Sequence, residues 1–335
     1  MNRRTFLAAA AIAAAGCSSR ESRVVLYCAQ DREFAEQLLA DFTRETDVRV
    51  DAKYDTEANK SVALAAELEQ EAGRPRCDVH WNNEPIGSVR LARAGVYAPL
   101  PVDLGREFPA DTRPADRLWQ GFAARARVLI VNTELVKGSE RPRSLFELTE
   151  PRWKGRVAMA KPFFGTTATH AACLFAALGE TKARDYFTRL KANEVNVVAG
   201  NKQVARDVAE GRFAVGTTDT DDAIIELRAG KPVAVVFPDA DGLGTLYLPN
   251  TIALVKNGPN PEAAKRLVEF LLRPGTEKRL AEGGGFQIPL NPAAQADLSA
   301  TILRPTQTRA MTVSFDAAAD AWERTQAVLR ELYAS

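Results

Sequence analysis

Between Thr217 and Ala223 the chain reads TTDTDDA, which sets three carboxylates, Asp219, Asp221 and Asp222, within four positions. Carboxylates this close repel one another unless a cation lies near, and an arginine, a ligand ammonium group or a metal ion could each supply it. At least one of the three could instead do no more than cap the helix that starts there, where a negative charge meets the positive end of the dipole. Gly165-Thr166-Thr167 opens an Ala-rich helical stretch. Its first N–H groups have no partner within the helix, so a glycine and two hydroxyls could cradle a phosphate, carbonate or carboxylate there, or serve as an ordinary threonine cap. Asn201 reads first as a helix cap, because Val204 and Val208 follow at helical spacing. Arg125 and Arg127 are two apart in an extended run and share one face, from which a guanidinium could grip an anion or simply meet solvent. The loops Gln30-Asp31 and Asn82-Asn83-Glu84 add further oxygen donors. His80 alternates with apolar residues and His170 lies among alanines, so both read as packed side chains. No G-x-S-x-G elbow, H-E-x-x-H pair or Walker loop is present, and nothing argues for catalysis.

These residues need elements to hold them. RVVLYC (23–28) is a short β-rich run, and Phe34, Leu38, Leu39 and Phe42 then share one helical face. Strand VRVDAKY (48–54), a helix over 60–72, strand CDVHWN (77–82) and a helix running through Leu91 to Gly95 continue the alternation, which implies βαβ units and a parallel sheet. A second such set includes RVAMA (156–160), VNVVAG (195–200), FAVGTTD (213–219) and VAVVFP (233–238) with helices between. Two long extended runs, 121–133 and 245–256, flank that second set, and helices over 261–272, 276–281 and 313–333 close the chain. The simplest arrangement is an α/β fold of two lobes, each a mostly parallel sheet flanked by helices, joined by two crossing strands. Residues 22–124 and 254–335 would form lobe 1, with the C-terminal helices returning to it, and 125–253 lobe 2. A cleft between such lobes is a favoured ligand site, and ligands on open α/β sheets sit beyond the carboxyl ends of the strands. That rule selects the loops named above.

Composition adds location more than chemistry. A formal net charge of +1 over 335 residues gives no reason to expect nucleic acid. The first 17 residues, MNRRTFLAAAAIAAAGC, combine a basic start, a short apolar stretch and small residues before a cysteine. This is an export signal, too short to span a bilayer, and Ala-Ala-Gly-Cys resembles a lipoprotein box that would leave Cys17 lipidated; Arg3-Arg4 resembles a twin-arginine signal. The protein is expected outside the cytoplasm, tethered to the membrane by its lipid alone, and monomeric. Cys28, Cys77 and Cys173 show no ligand spacing and read as small buried apolar residues.

In this order, VVLYCAQD, CDVHWNNE, AARARVLIVNT with LTEPRWKGRVAMAKP, GTT, GNKQVARDVAEGRFAVG and PNTIALVKNGPNPEAAKRLVEFLL resemble the extracellular solute-binding proteins of ABC importers, specifically the ferric-ion-binding branch with its two-lobed periplasmic-binding fold. The resemblance covers the whole mature chain. It implies a metal held by a His after the first strand, a Glu after the third and two adjacent tyrosines, together with a synergistic anion on a Ser/Thr-Gly loop and nearby asparagines. The matching positions here are Asp31 for the His, Asn83 with Glu84 beside it for the Glu, and Asp221-Asp222 for the tyrosines. The anion loop matches at Gly165, Thr166, Thr167 and Asn201, with Asp219 and Arg125 as further ligand-binding candidates. The absent phenolates are a departure. Carboxylate and amide oxygens suit Fe³⁺ or a divalent cation, and equally an ammonium group. The resemblance implies delivery of cargo to an ABC permease and ATPase, with iron or another metal plus an oxyanion placed ahead of an aminoalkylphosphonate-like zwitterion. A sensory or scaffolding protein of the same fold that transports nothing stays open.

Overall fold

The computed structural model describes residues 22–55, 63–298 and 301–334; the export signal and Cys17 lie outside the described residues. In chain order the strands are β1 (Arg23–Cys28), β2 (Arg49–Tyr54), β3 (Val79–Asn82), β4 (Tyr97–Ala98), β5 (Gln120–Asn132), β6 (Val157–Ala160), β7 (Asn196–Val198), β8 (Val215–Asp219), β9 (Val233–Val236) and β10 (Tyr247–Val255). The helices are α1 (Arg32–Thr46), α2 (Ala63–Gln70), α3 (Pro85–Arg93), α4 (Gly165–Leu178), α5 (Glu180–Ala192), α6 (Asn201–Ala209), α7 (Thr220–Arg228), α8 (Pro261–Leu271), α9 (Pro274–Glu282) and α10 (Phe315–Tyr333).

Strands follow one another across the molecule in the order β2-β1-β3-β10-β5-β8-β6-β7. β1 pairs in parallel with β2 and β3, and β6 with β7 and β8, so each lobe has a parallel core. The antiparallel pairs are β10 on β3, β4 and β5, and β5 on β8 and β9. β5 thus belongs to both sheets, and every one of its 13 residues is buried, which its apolar run anticipates. Both long strands are interrupted at the same level: the β10–β5 register shifts between Pro249 and Asn250, and Ala123 takes a left-handed φ of 43°. Glu277, fully buried at the start of α9, holds that kink by accepting from the N–H groups of Ala123 (2.5 Å), Leu290 (3.1 Å) and Asn291 (2.7 Å).

Three apolar clusters stabilise this frame. Leu26, Phe42, Trp81, Leu267 and Leu271 pack the first sheet against α1 and α8; Val128, Ile130, Val204 and Ile224 pack the second against α6 and α7. α1 buries Ala35, Leu38, Leu39 and Phe42, the i, i+3, i+4, i+7 stripe of an amphipathic helix. The third cluster runs along the other side of both sheets through Val89, Leu129, Phe175, Leu190 and Leu329. It includes α10, which packs on α3 as well as on α4 and α5. α10 binds Arg93 of α3 through Asp316 (3.0 Å) and Asp320 (2.7 Å), and binds α5 through Arg184–Glu331 and Tyr333 Oη on the Phe187 carbonyl (2.7 Å). Its apolar stripe specifies a buried face, and that face is wide enough to take a wall from each lobe.

Candidate functional site

The carboxyl ends of β1, β3, β6, β7 and β8 converge on one cleft between the lobes. Asp31, Asn83, Arg125, Gly165, Thr166, Thr167, Asn201, Asp219, Asp221 and Asp222 line it, with a cavity of ≈ 50 Å³ among them. Glu84 does not join them. It caps α3, accepting from Gly87 N at 2.8 Å, and its second oxygen accepts from Thr169 Oγ1 of α4 at 2.8 Å, so it ties the lobes together behind the cleft. Burial raises its pKa, and the hydrogen bonds from Thr169 and Gly87 oppose that rise. One position decides this: Asn83 ends the loop, whereas Glu84 already takes the N-cap geometry.

The aspartates differ in what they face. Asp219 is 4% exposed and pairs with Arg127 Nη1 at 2.7 Å; its other oxygen accepts from Thr166 Oγ1 (2.6 Å) and Asn201 Nδ2 (3.0 Å). It stands at the N-cap position of α7 without a side-chain cap bond, so capping is not its role. Asp221 lies 3.1 Å from Arg125 Nε. The carboxylates' first cations are therefore the protein's own arginines. One ligand atom each from Asp219, Asp221 and Asp222 lies within 4.8 Å of the others, a spacing a metal ion could bridge.

The anion loop is arranged differently from expectation. Gly200, not Asn201, is the N-cap of α6, and the Asn201 side chain turns inward to bond Arg127 (3.1 Å) and Thr166 (2.8 Å). The Thr167 hydroxyl donates to Asn201 Oδ1 at 3.1 Å. The hydroxyls thus support the buried Arg127–Asp219 pair. Arg125 does not reach out for an anion either: its guanidinium donates to the Asn83 carbonyl (3.1 Å), Gln30 Oε1 (2.8 Å) and Asn250 Oδ1 (2.8 Å). Lys161 and Lys202 also line the cavity and bring positive charge to it. Sequence reasoning passed over both, although a lysine in the first turn of α6 runs against the helix dipole and is itself a signal. Lys202 also reaches Glu33 of α1 at 3.5 Å, across the cleft.

The histidines stay out of the site. His80 bonds Tyr97 Oη through Nδ1 at 2.6 Å, and burial pushes its pKa down to about 3; burial likewise holds His170 well below the usual range, helped by Arg127. Cys28, Cys77 and Cys173 are buried and form no disulfide with one another.

Residues 89–312 match the family model described as bacterial extracellular solute-binding protein. The chain belongs to that family. Iron uptake protein A1 of Synechocystis sp. is 26% identical over 283 residues, covering 81% of this chain and 76% of that protein. Among solved structures, iron-bound HitA from Pseudomonas aeruginosa superposes with a TM-score of 0.84 at 21% identity, over 93% of this chain and 99% of that one. AfuA from Actinobacillus pleuropneumoniae, with exogenous fructose-6-phosphate bound, gives 0.79 at 23% over 93% and 98%. These two likenesses show the two-lobed fold expected from the sequence. The solute-binding protein is extracytoplasmic by family, and its relatives are transporter binding proteins and not enzymes.

Proposed function

We propose that this protein is the lipid-anchored substrate-binding component of an ABC importer, and that its cargo is a hard metal cation, ferric iron or a divalent ion, taken with a small oxyanion. The observation that carries this reading is the division of one small cavity. Asp31, Asn83, Asp221 and Asp222 offer oxygen donors, while the α4 N-terminus with Lys161 and Lys202 offers hydrogen-bond donors and positive charge. Oxygen donors suit hard cations, and a helix N-terminus suits an oxyanion. A volume of ≈ 50 Å³ has room for an ion with its small partner. The iron-binding names of relatives such as the Major ferric iron-binding protein of Neisseria meningitidis, 25% identical over 282 residues, support it further.

Calorimetry of the mature chain with Fe³⁺, with and without phosphate or carbonate, tests the reading. Binding should require both partners, and Asp222→Ala should weaken it by about tenfold or more, the loss of one charged ligand. Unchanged affinity in Asp222→Ala removes that residue from the site. A second reading rests on the arginine pairs, which neutralise Asp219 and Asp221 and leave a more modest demand for positive charge. An aminoalkylphosphonate would meet that demand with its ammonium group, and 2-aminoethylphosphonate binding without metal would favour it.

A further inference from the structure

β1 and β3 end at the cleft, and the opposite edge of the same sheet is where the chain enters it. β2, β1 and β3 run parallel and β10 runs antiparallel to β3, so the first residues of those three strands and the last of β10 line up along that edge. Each strand end there carries a basic side chain. Arg49 opens β2, Arg23 opens β1, Arg74 and Arg76 precede β3, and Lys256 follows β10. All five are exposed. Neighbouring strands lie about 4.8 Å apart, so the four strand ends span only about 15 Å.

The edge keeps a positive excess after its acids are counted. Asp51 lies 3.7 Å from Arg23 and 3.0 Å from Arg49, Glu71 lies 3.7 Å from Arg76, and Asp47 stands exposed at the end of α1. Arg74 and Lys256 have no ion-pair partner among the described residues. Glu262 at the start of α8 and Glu45 near the end of α1 are matched by Lys265 (2.8 Å) and Arg273 (2.9 Å). Five cations against three acids leave an excess of two. The chain as a whole has no such excess, because its formal charge falls from +1 to −1 once Arg3 and Arg4 leave with the signal.

The chain's own path supplies the partner. Residues 18–21 alone separate Cys17 from Ser22, whose carbonyl accepts from Arg49 N at 2.9 Å on this edge. Five steps of extended chain reach at most about 18 Å. A lipid on Cys17 therefore holds this edge close to the bilayer, where basic side chains are drawn to anionic headgroups. The cleft loops stand one strand length away, about 20 Å.

Resting on the lipid-anchored part of the function proposed above, we propose that this edge is a membrane-docking face. Arg23, Arg49, Arg74, Arg76 and Lys256 meet the phosphates of anionic phospholipids, and the docked protein turns its cleft away from the bilayer surface.

The mature chain coupled through the Cys17 thiol to a maleimide lipid tests this, because Cys28, Cys77 and Cys173 are buried. Amide hydrogen exchange is compared on vesicles of phosphatidylglycerol mixed with phosphatidylcholine and on vesicles of phosphatidylcholine alone. Exchange over residues 71–77 and 255–260 should slow by about threefold or more on the anionic vesicles, with residues 219–223 at the cleft unchanged. Salt at about 0.5 M should abolish the slowing. Arg74→Glu/Lys256→Glu reverses the excess at two exposed positions and should abolish it as well; thermal melts establish that this variant folds. Equal exchange on the two kinds of vesicle, slowing that persists in the charge-reversed variant, or slowing confined to another face would each overturn the proposal. The tether is installed chemically, so these outcomes stand whether or not the cell lipidates Cys17. The mass of the chain extracted from membranes decides that separate question.

Discussion

Asp219 and Asp222 are three residues apart, and the structure assigns them to different tasks, which a stability measurement can separate. Asp219→Ala removes the carboxylate that faces Arg127 at 2.7 Å, with the two side chains only 2% and 6% exposed. Breaking a pair this buried from one side leaves the guanidinium charged and away from water, a loss of about 3–5 kcal/mol. Arg127 keeps Asn201 Oδ1 (3.1 Å) and Thr166 Oγ1 (3.3 Å) as neutral acceptors, which places the loss towards the lower end of that range. In a chain of this size each kcal/mol moves the melting temperature by about 2 °C, so a fall of about 6–10 °C is expected. Urea denaturation of wild type, Asp219→Ala, Arg127→Met and Asp219→Ala/Arg127→Met closes the cycle, and the double variant should lose less than Asp219→Ala alone because no unpaired charge remains. A loss below about 1 kcal/mol in Asp219→Ala, or a double-variant loss equal to the sum of the singles, would refute the claim that this pair is a buried support.

Two further outcomes follow from buried groups. Burial holds His80 at about 3, whereas an unfolded histidine titrates near ~6.5. The unfolded chain therefore takes up the proton first, and folding stability should fall as pH drops from about 6.5 towards 3, by up to ~1.4 kcal/mol per pH unit. His80→Phe should flatten that slope in urea melts between neutral and acid pH, and equal slopes in the two proteins would contradict the assignment. Glu277→Ala orphans the N–H groups of Ala123, Leu290 and Asn291 at the kink of β5. It should cost about 3 kcal/mol and speed amide exchange at Ala123; unchanged protection there would show that Glu277 does not hold the kink.

The strands and helices with a single strong period were legible in the sequence. Three of the four stripe residues read on α1, Leu38, Leu39 and Phe42, are buried, with Ala35 in place of the half-buried Phe34 as the fourth, and the long apolar run around β5 becomes a strand buried along its whole length. The loops at strand ends were legible too, because the topology of parallel sheets selects them before any side chain is considered. Orientation within a loop was not. Asn83 and Glu84 differ by one position, yet one lines the cleft and the other caps α3. The same holds for the hydroxyls of Thr166 and Thr167, which local sequence would aim at a ligand. Asp219 and Arg127 arrive from β8 and β5 and draw them inward. The partners of Arg125 lie up to 125 positions away in sequence, at Asn250, and no local pattern encodes such a meeting.

Arg125 also constrains how the lobes can part. Gln30 and Asn83 approach it from the loops after β1 and β3, and Asp221 from the first turn of α7. If Arg125 moves with the first lobe on opening, it keeps three neutral acceptors and loses the carboxylate, so Asp221 reaches the solvent charged and ready for a cation. If it moves with the second lobe, the ion pair survives and Gln30 and Asn83 lose a charged donor, each such bond contributing about 1.5–3 kcal/mol. In either case closure restores contacts that the open form lacks, before any ligand is counted. The closed arrangement thus has a stabilisation of its own. If Asp221 takes the proposed metal ion, that ion has to compete with Arg125 for the carboxylate, so affinity for the cation and the tendency of the lobes to close would be set by the same side chain.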